Sequence, residues 1–515
     1  MDLKQLVEDL RKTKEQALLG GGTEKIIKRH ENGKLTARER VELLLDKNSF
    51  VEFGLLASSD IPGMERQTPA DGWITGYGRL DGRQVCIVAN DFTIFGASNA
   101  RVNTKKAAFL RRQSEEKGVP LIWLGEAGGG RLPDVEGARG LCSLAGQGER
   151  SVFAQYTHNR GTPWITAAMG GCYGVPTWQA CLSDFVVQVK GSALLVSGPR
   201  PLRRLLHHSS TTAEEMGGWK VHAEVTGISD QVAEDEEDCF RLIKEFLSYM
   251  PSSCNELPPE KEDPHQGGKC IDPLLDIFPV NRVQAYDMME IIKILADDGR
   301  VFELKPFFGR SVLTCLCRIG GRTAGIIASQ PKYKAGGMDT DGLDKITSFM
   351  CLCDSFNVPL VFLHDNPGFI TDKKAEHSKV SAKVTNALLA LSKVTVPKIS
   401  IIIRKSYGQA MYNMCGPGAG PDFIAAWPTA EVSFLDPDVA TDIIYGNHTE
   451  EERKAFRDEM IRDTGPYPLA QGYYVFDIIE PTETRNYIIK MLEIIYNSAS
   501  KGMSQHFLAN WPTKF

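Results

Sequence analysis

The sequence predicts an α/β protein built from two tandem copies of one domain. Landmarks of the first half return in the second half in the same order, and each copy alternates β-branched runs with helical stretches. The run DGRQVCIVA around Gly82 returns as GGRTAGIIA around Gly321, and GVPLIWL around Pro120 returns as NVPLVFL around Pro359. Both returns share one spacing, equal to the distance along the chain from Gly82 to Gly321. This spacing is called the long offset below.

Two further landmarks keep nearly the same spacing. Pro163, in the run TPWIT, returns as Pro397 in VPKIS, and Tyr173-Gly174 returns as Tyr407-Gly408. These two returns share a slightly smaller spacing, equal to the distance along the chain from Gly174 to Gly408. This spacing is called the short offset. Unrelated apolar runs would not keep such a register, so the sequence indicates a duplicated fold, and a cleft between the copies is the first place to expect a site.

Composition excludes several classes of protein. The chain has 515 residues, too many for a single hydrophobic core, with 42% hydrophobic and 24% charged residues, as in an ordinary globular protein. The net charge of −6 argues against nucleic-acid binding. The apolar runs are too short to cross a membrane, and the ten histidines lack the spacing of metal ligands. We expect a cytoplasmic protein with no metal, no membrane association and no nucleic-acid partner.

The elements follow in order along the chain. An amphipathic helix is predicted after Thr36, which is a suitable N-cap. Strand and helix units then alternate, with helices expected over residues 103–117 and 341–356. The polar, proline-rich stretch after residue 254 predicts a linker. The predicted organisation is a first domain over 1–254, a linker over 255–272 and a second domain over 273–515.

Glycine-rich turns follow one strand in each copy. The first turn, GEAGGGR, ends at Arg131, and the second, DNPGF, ends at Phe369. Such turns let the backbone approach a ligand closely. Arg131 could clamp a substrate carboxylate in a bidentate manner, or it could form a structural ion pair. The substrate-binding candidates in these turns are Gly128, Gly129, Gly130, Arg131, Pro367, Gly368 and Phe369.

A second pair of turns follows the next strand of each copy. Here small residues come directly after an apolar run, at Gly174-Val175 and at Gln409-Ala410. If a helix follows, its unpaired N–H groups can stabilise a developing oxyanion. Either turn alone could be a tight strand-to-helix connection without a catalytic role. Their recurrence favours two oxyanion sites, so the catalytic candidates are Gly174, Val175, Gln409 and Ala410.

Several motifs together resemble one known family. They include LTARER before Val41, NDFTIFG ending at Gly96, PGF ending at Phe369, RKSYG ending at Gly408 and AWPTA ending at Ala430. In order and spacing they resemble the carboxyltransferase (β) subunit of acyl-CoA carboxylases, a group that includes the propionyl-CoA and methylcrotonyl-CoA enzymes and related decarboxylases. The resemblance implies two tandem crotonase-like domains of ββα superhelical turns. It also implies a homo-hexamer in which the first domain of one subunit faces the second domain of another.

The resemblance also implies the chemistry. An acyl-CoA thioester bound by the first domain would lose its α-proton, and one backbone pair would hold the enolate oxygen while the other holds the ureido oxygen of biotin. Gly174 and Val175 align with one pair, and Gln409 and Ala410 with the other. Lys106 aligns with a basic position that could contact a CoA phosphate, although a solvated helix face would explain it equally. Tyr173 and Gly336 complete the expected substrate-binding residues.

The sequence departs from the family pattern in the turns. The family usually has Gly-Gly and Gly-Ala where this chain has Gly174-Val175 and Gln409-Ala410. The extra side chains leave three functions open: carboxyl transfer from carboxybiotin to an acyl-CoA, biotin-independent decarboxylation of a malonyl-type acyl-CoA, or a non-catalytic assembly subunit. The chain shows neither a biotinylation motif nor an ATP-grasp segment, so biotin carboxylase and the biotin carrier would be separate chains.

Overall fold

A computed structural model describes residues 2–146, 157–199, 211–265, 268–498 and 506–511. The chain divides into two compact units, residues 1–248 with 252–254 and residues 255–515 with 249–251. Each unit contains one eight-stranded sheet. The α/β class predicted from the alternation of strands and helices is confirmed.

The sheet of the first unit runs in the order β1-β2-β3-β4-β5-β6-β8, and β7 pairs with the C-terminal end of β5. Only β1, β2 and β3 pair in antiparallel fashion; the other strands are parallel. The strands are β1 (Val51–Glu52), β2 (Trp73–Leu80), β3 (Arg83–Asn90), β4 (Leu121–Ala127), β5 (Trp164–Tyr173), β6 (Phe185–Val189), β7 (Ala193–Leu195) and β8 (Gln231–Ala233).

The sheet of the second unit repeats this pattern. Its order is β16-β14-β13-β12-β11-β10-β9, and β15 pairs with the far end of β13 as β7 does with β5. The strands are β9 (Val301–Glu303), β10 (Val312–Ile319), β11 (Arg322–Ser329), β12 (Leu360–Asn366), β13 (Lys398–Tyr407), β14 (Phe423–Ala426), β15 (Glu431–Ser433) and β16 (Asp477–Ile478).

The central strands are buried on both faces. Every residue of β4 and of β12 is buried, as expected for parallel strands covered by helices. The predicted duplication is visible in the pairing, since Cys86 lies opposite Leu121 in the first sheet and their long-offset counterparts, Gly325 and Leu360, lie opposite each other in the second. The parallel strands of each sheet therefore end at one common edge.

Helices connect and cover these strands. Thr36 caps the predicted early helix, and Glu39 accepts a hydrogen bond from the Thr36 N–H, which completes a capping box. The helices are α1 (Leu3–Leu18), α2 (Thr23–Glu31), α3 (Ala37–Leu44), α4 (Arg101–Lys117), α5 (Leu132–Val135), α6 (Gly137–Gly146), α7 (Val175–Leu182), α8 (Ala213–Gly217), α9 (Glu236–Tyr249), α10 (Pro273–Ile277), α11 (Met288–Leu295), α12 (Thr340–Ser355), α13 (Lys373–His377), α14 (Val380–Lys393), α15 (Ala410–Asn413), α16 (Pro437–Tyr445), α17 (Glu450–Thr464), α18 (Pro466–Gln471) and α19 (Thr484–Ser498).

The stretch over 255–272 is part of the second unit and is bonded to its sheet-forming part. The Asn357 side chain donates to the Glu256 carbonyl at 2.7 Å, and the Lys261 N–H donates to the Gly321 carbonyl at 2.9 Å. Residues 266 and 267 of this predicted linker lie outside the described residues. The assignment of one domain to CoA and the other to the carboxyl acceptor stays a prediction.

Two features are absent from the described residues. None of the helices within those ranges is long and apolar enough to cross a membrane. Groups of three or more His, Cys, Asp or Glu side chains that could hold a metal ion are also absent from the described part of the chain.

Candidate functional site

In each unit, two turns begin side by side at the sheet edge where parallel strands end. Ala127, the last residue of β4, lies opposite Cys172 of β5 in the sheet register. Asn366, the last residue of β12, lies opposite Ser406 of β13 in the same way. The glycine loop after β4 or β12 and the turn after β5 or β13 are therefore neighbours.

The turn after β5 depends on a glycine. Gly174 has φ 74° and ψ −115°, a conformation that residues with a Cβ avoid, and α7 begins at the next residue. The Gly174 N–H donates to the Leu195 carbonyl of β7 at 3.1 Å. This bond occupies the Gly174 donor that the sequence assigned to the oxyanion site, so Gly174 shapes the turn and the Val175 N–H remains as its donor.

The turn after β13 has the same construction, centred on Gly408. Gly408 has φ 58°, and its N–H donates to the Ser433 carbonyl of β15 at 2.8 Å. Gly408 is therefore the equivalent of Gly174, as the short offset requires. By the same offset Gln409 corresponds to Val175.

The two turns differ in the number of donors they offer. Ala410 corresponds to Pro176 in the first copy, and proline has no N–H. Among the described residues, the N–H groups of Val175, Gln409 and Ala410 have no hydrogen-bond partner. The first turn thus presents one free backbone donor and the second presents two adjacent ones. The proline was visible in the sequence, and strict use of the short offset would have identified this asymmetry.

The glycine loops are tied to a neighbouring turn by equivalent bridges. Asn99 pairs with Gly130 in the first unit, and their long-offset counterparts, Met338 and Phe369, pair in the second. Gly129 has φ 102° and its counterpart Gly368 has φ 127°, so both positions need glycine. In the first loop, Gly128 and Gly130 are exposed. The N–H groups of Gly129 and Gly130 lack a partner within the described ranges, so this loop can also donate to a ligand.

The remaining residues of the second loop contribute shape. Pro367 is exposed and cannot donate, and the Gly368 N–H is used by the Asn366 side chain at 2.7 Å. Phe369 is half-buried. Gly336, expected to bind substrate, lies against this loop, and a Cβ there would approach the Asp365 carbonyl to 2.5 Å. Gly336 therefore allows close backbone packing beneath the loop.

A buried carboxylate stands next to each glycine loop, which sequence reasoning missed. Glu126 is 3% exposed and is bound by Arg29 at 2.8 Å and Arg40 at 2.7 Å. Burial alone would raise the pKa of Glu126, but the two guanidinium groups lower it overall. Asp365, its counterpart at the long offset, is bound instead by Arg404 at 2.8 Å. The acidic residue at matching positions of the two copies was the available signal.

The two tyrosines that precede the turns have different environments. Tyr407 is 1% exposed, and its hydroxyl donates to Glu431 and accepts from Arg282 at 3.0 Å. Its counterpart Tyr173 is half-buried, with its ring over Gly171 and Gly198. Burial raises the pKa of the Tyr173 phenol, so its hydroxyl stays neutral. Its contact with a substrate stays a prediction.

Two predicted substrate contacts are structural instead, and Lys106 is the first. Its ammonium donates to the carbonyls of Gly54 at 3.1 Å, Ala70 at 2.7 Å and Trp73 at 2.5 Å, which occupies all three of its protons. Burial lowers the pKa of Lys106 to about 8. This arrangement replaces the expected contact with a CoA phosphate.

Arg131 is the second, because its side chain is bound by carboxylates of the protein itself. It is 3% exposed, and its guanidinium donates to Asp71 at 2.6 Å and to Asp134 at 2.5 and 2.9 Å. Of the two alternatives that the sequence left open, the structural ion pair is the one present. Its Nε and Nη2 groups are both taken by carboxylates, which leaves no pair of donors for a bidentate clamp on a substrate carboxylate.

Comparisons with known proteins extend over nearly the whole chain. Residues 28–507 match the carboxyl transferase domain family. The chain is 34% identical, over 92% of its length and 93% of the relative's, to the methylmalonyl-CoA decarboxylase subunit alpha of Veillonella parvula. It is also 34% identical, over 98% of both chains, to the propionyl-CoA carboxylase carboxyltransferase subunit of Haloferax mediterranei.

A solved structure agrees with these relatives. Transcarboxylase 12S, a hexamer crystallised with methylmalonyl-coenzyme A and methylmalonic acid bound, superposes with a TM-score of 0.90 at 31% sequence identity. The match covers 96% of this chain and 97% of that one. It confirms the predicted fold class of two tandem crotonase-like α/β domains.

Proposed function

Because this chain belongs to the carboxyl transferase domain family and is an enzyme, we propose that it transfers a carboxyl group between carrier-bound biotin and the α-carbon of an acyl-CoA. The observation that carries the proposal is the duplicated turn. Each unit places unpartnered backbone N–H groups at the edge of its own sheet where the parallel strands end, next to an exposed or half-buried loop. Carboxyl transfer requires stabilisation of two oxygens, one on each reactant.

We assign the first unit to the thioester. A thioester enolate carries its developing charge on one oxygen, and the Val175 N–H, with Gly129 and Gly130 in the adjacent loop, offers backbone donors for it. The half-buried Tyr173 beside the turn limits the space for the acyl group. Since the first turn itself provides a single donor, its stabilisation of the enolate depends on the neighbouring loop.

The second unit is assigned to biotin. Gln409 and Ala410 present two adjacent N–H groups, which is the donor set that a ureido oxygen accepts. When bound, biotin supplies the nitrogen that carries or receives the carboxyl group. The chain's own contribution is to hold that oxygen with backbone dipoles that need no reorganisation. Biotin carboxylase and a biotin carrier on separate chains, assembly as a homo-hexamer and a cytoplasmic location belong to the same proposal.

Decarboxylation of a malonyl-type acyl-CoA is the second candidate. The similarity to the Veillonella parvula decarboxylase subunit favours it, and loss of carbon dioxide would leave the same enolate at the first turn. Purified protein incubated with a malonyl-type CoA ester separates the two functions. Consumption that depends on added biotin supports transfer, equal consumption without biotin supports decarboxylation, and no consumption under either condition contradicts both.

A further inference from the structure

A short backbone segment of the first unit is left-handed over three consecutive residues. Ala70 has φ 51°, Asp71 has φ 47° and Gly72 has φ 73°, directly before β2. Residues with a Cβ avoid this conformation, and where it persists the surrounding structure has to hold it. The segment 70–72 is called the left-handed turn below.

Buried polar groups hold the left-handed turn. The Asp71 carboxylate, fully buried, accepts from the Asn103 N–H at 2.7 Å and from Arg131 at 2.6 Å. The Asn103 side chain donates to the Asp71 carbonyl at 3.0 Å. Lys106 adds its bond to the Ala70 carbonyl. The turn is thus fixed both to helix α4 and to the residue that ends the glycine loop.

Arg131 connects this network to the candidate site. Its side chain binds Asp71 and Asp134, while its backbone N–H donates to the Asn99 carbonyl at 2.8 Å. The Asn99 N–H in turn donates to the Gly129 carbonyl at 2.7 Å. The position of the Gly129 and Gly130 peptides therefore depends on Arg131, which depends on Asp71.

The second unit shows that the fold does not require this network. At the positions related by the long offset, Asp71 is replaced by Arg310, Asn103 by Gly342 and Arg131 by Ile370. The backbone bridge nevertheless survives, since the Ile370 N–H donates to the Met338 carbonyl at 2.9 Å. Of the three counterparts of the left-handed turn, only Gly309 has a positive φ.

The two units also differ in how the N-terminus of the equivalent helix is capped. In the second unit Asp339, the N-cap of α12, accepts from the Gly342 N–H at 2.8 Å. The first unit has Ala100 at that position, which offers no side-chain acceptor, and the corresponding Asn103 N–H is satisfied by Asp71 instead. A local cap suffices for the fold, so the use of a distant carboxylate indicates a task specific to the first unit.

We propose that Asp71 and Arg131 are positioning residues that fix the glycine loop Gly128–Gly130 for the acyl-CoA oxygen. The inference rests on the proposed function, which assigns the thioester to the first unit. Neither side chain touches the substrate. The pair acts by holding the Gly129 and Gly130 N–H groups in place, and small errors in such placement are costly for turnover.

The test uses Asp71→Asn in the full-length protein. Asparagine keeps an acceptor for the Asn103 N–H but removes the charge that faces Arg131. We expect kcat for carboxyl loss from a malonyl-type CoA ester to fall by about 10- to 100-fold while KM changes little. Amide hydrogen exchange at Gly128 and Arg131, whose N–H groups are hydrogen-bonded, should become faster. Arg310→Asn, at the exposed equivalent position of the second unit, is the matched control and should change neither quantity.

A second variant separates capping from positioning. Asp71→Ala combined with Ala100→Ser restores a local cap to α4 without restoring the partner of Arg131. It should recover thermal stability relative to Asp71→Ala alone, yet keep the low kcat and the fast loop exchange. Recovery of kcat together with stability would overturn the positioning role, as would parental kcat and loop exchange in Asp71→Asn. If the parent itself turns over no CoA ester, the proposed function fails, and the exchange measurement still decides whether the loop is held by Asp71.

Discussion

Ala410→Pro is expected to remove one backbone donor of the second turn without rebuilding the turn. Ala410 is the first residue of α15, and its equivalent in the first unit is already a proline, Pro176. Proline is well accommodated at the start of a helix and has no N–H. Proline disfavours a helical conformation in the residue before it, but Val175 begins α7 directly before Pro176, so the same geometry has a precedent in this chain.

The expected magnitude follows from the number of donors. The second turn presents two unpartnered N–H groups, from Gln409 and Ala410, and the substitution leaves one. Loss of one oxyanion donor typically costs about 2.7–4 kcal/mol, or roughly 100- to 1000-fold in kcat. The assay is the rate of carboxyl transfer from a malonyl-type CoA ester to free biotin. Affinity for the CoA ester should stay close to that of the parent, because the first unit is assigned to the thioester.

Ala410→Ser is the matched control. Ala410 is fully buried, and serine adds a single oxygen while keeping the N–H. We expect the serine variant to retain most of the parental rate, with the thermal unfolding temperature and the oligomer size of both variants measured alongside. The reasoning is refuted if Ala410→Pro has parental stability, parental assembly and near-parental transfer to biotin.

Three further predictions concern the first turn and two histidines with buried side chains. Val175→Pro should lower turnover by about 100-fold or more through loss of the remaining donor, whereas Val175→Ala should not; equal rates in two well-folded variants would contradict this. Burial lowers the pKa of His364 to about 3. Between about pH 6.5 and 3 the imidazole is therefore protonated in the unfolded chain but neutral in the folded protein. The free energy of unfolding falls as pH drops through this range. His364→Gln should flatten that acid limb in unfolding experiments at a series of pH values below neutrality. Burial alone would lower the pKa of His158, but Asp184 at 2.8 Å raises it overall, so its contribution is present at low pH and lost as pH rises through the folded-state pKa. His158→Gln should remove this loss, and an unchanged pH profile would show that the imidazole is not charged when folded.

The fold was predictable because short runs of consecutive residues recur in the same order in both halves of the chain. The runs around Gly82 and Gly321 form equivalent hairpin turns, and those around Pro120 and Pro359 lead into the buried central strands of the two sheets. Such strands have a strong apolar signature that depends on a few consecutive residues. Thr36 was predictable as an N-cap for the same reason.

The site was predictable only in part, because hydrogen-bond partners lie far apart in sequence. The Gly174 N–H is taken by Leu195, a residue of a short strand that the sequence pattern did not reveal. The role of Arg131 depends on Asp71, which lies much earlier in the chain. A lone arginine after three glycines is compatible with either a ligand clamp or a buried ion pair, and local spacing cannot decide between them.

In the proposed function, the two duplicated turns hold the two reactants of a carboxyl transfer. The most direct measurement follows a malonyl-type CoA ester labelled in its free carboxyl group, incubated with the purified protein with and without biotin. We expect label transfer to biotin, and we expect Ala410→Pro to abolish this transfer while binding of the CoA ester is kept. Release of the label as carbon dioxide at the same rate without biotin, unaffected by Ala410→Pro, would contradict it.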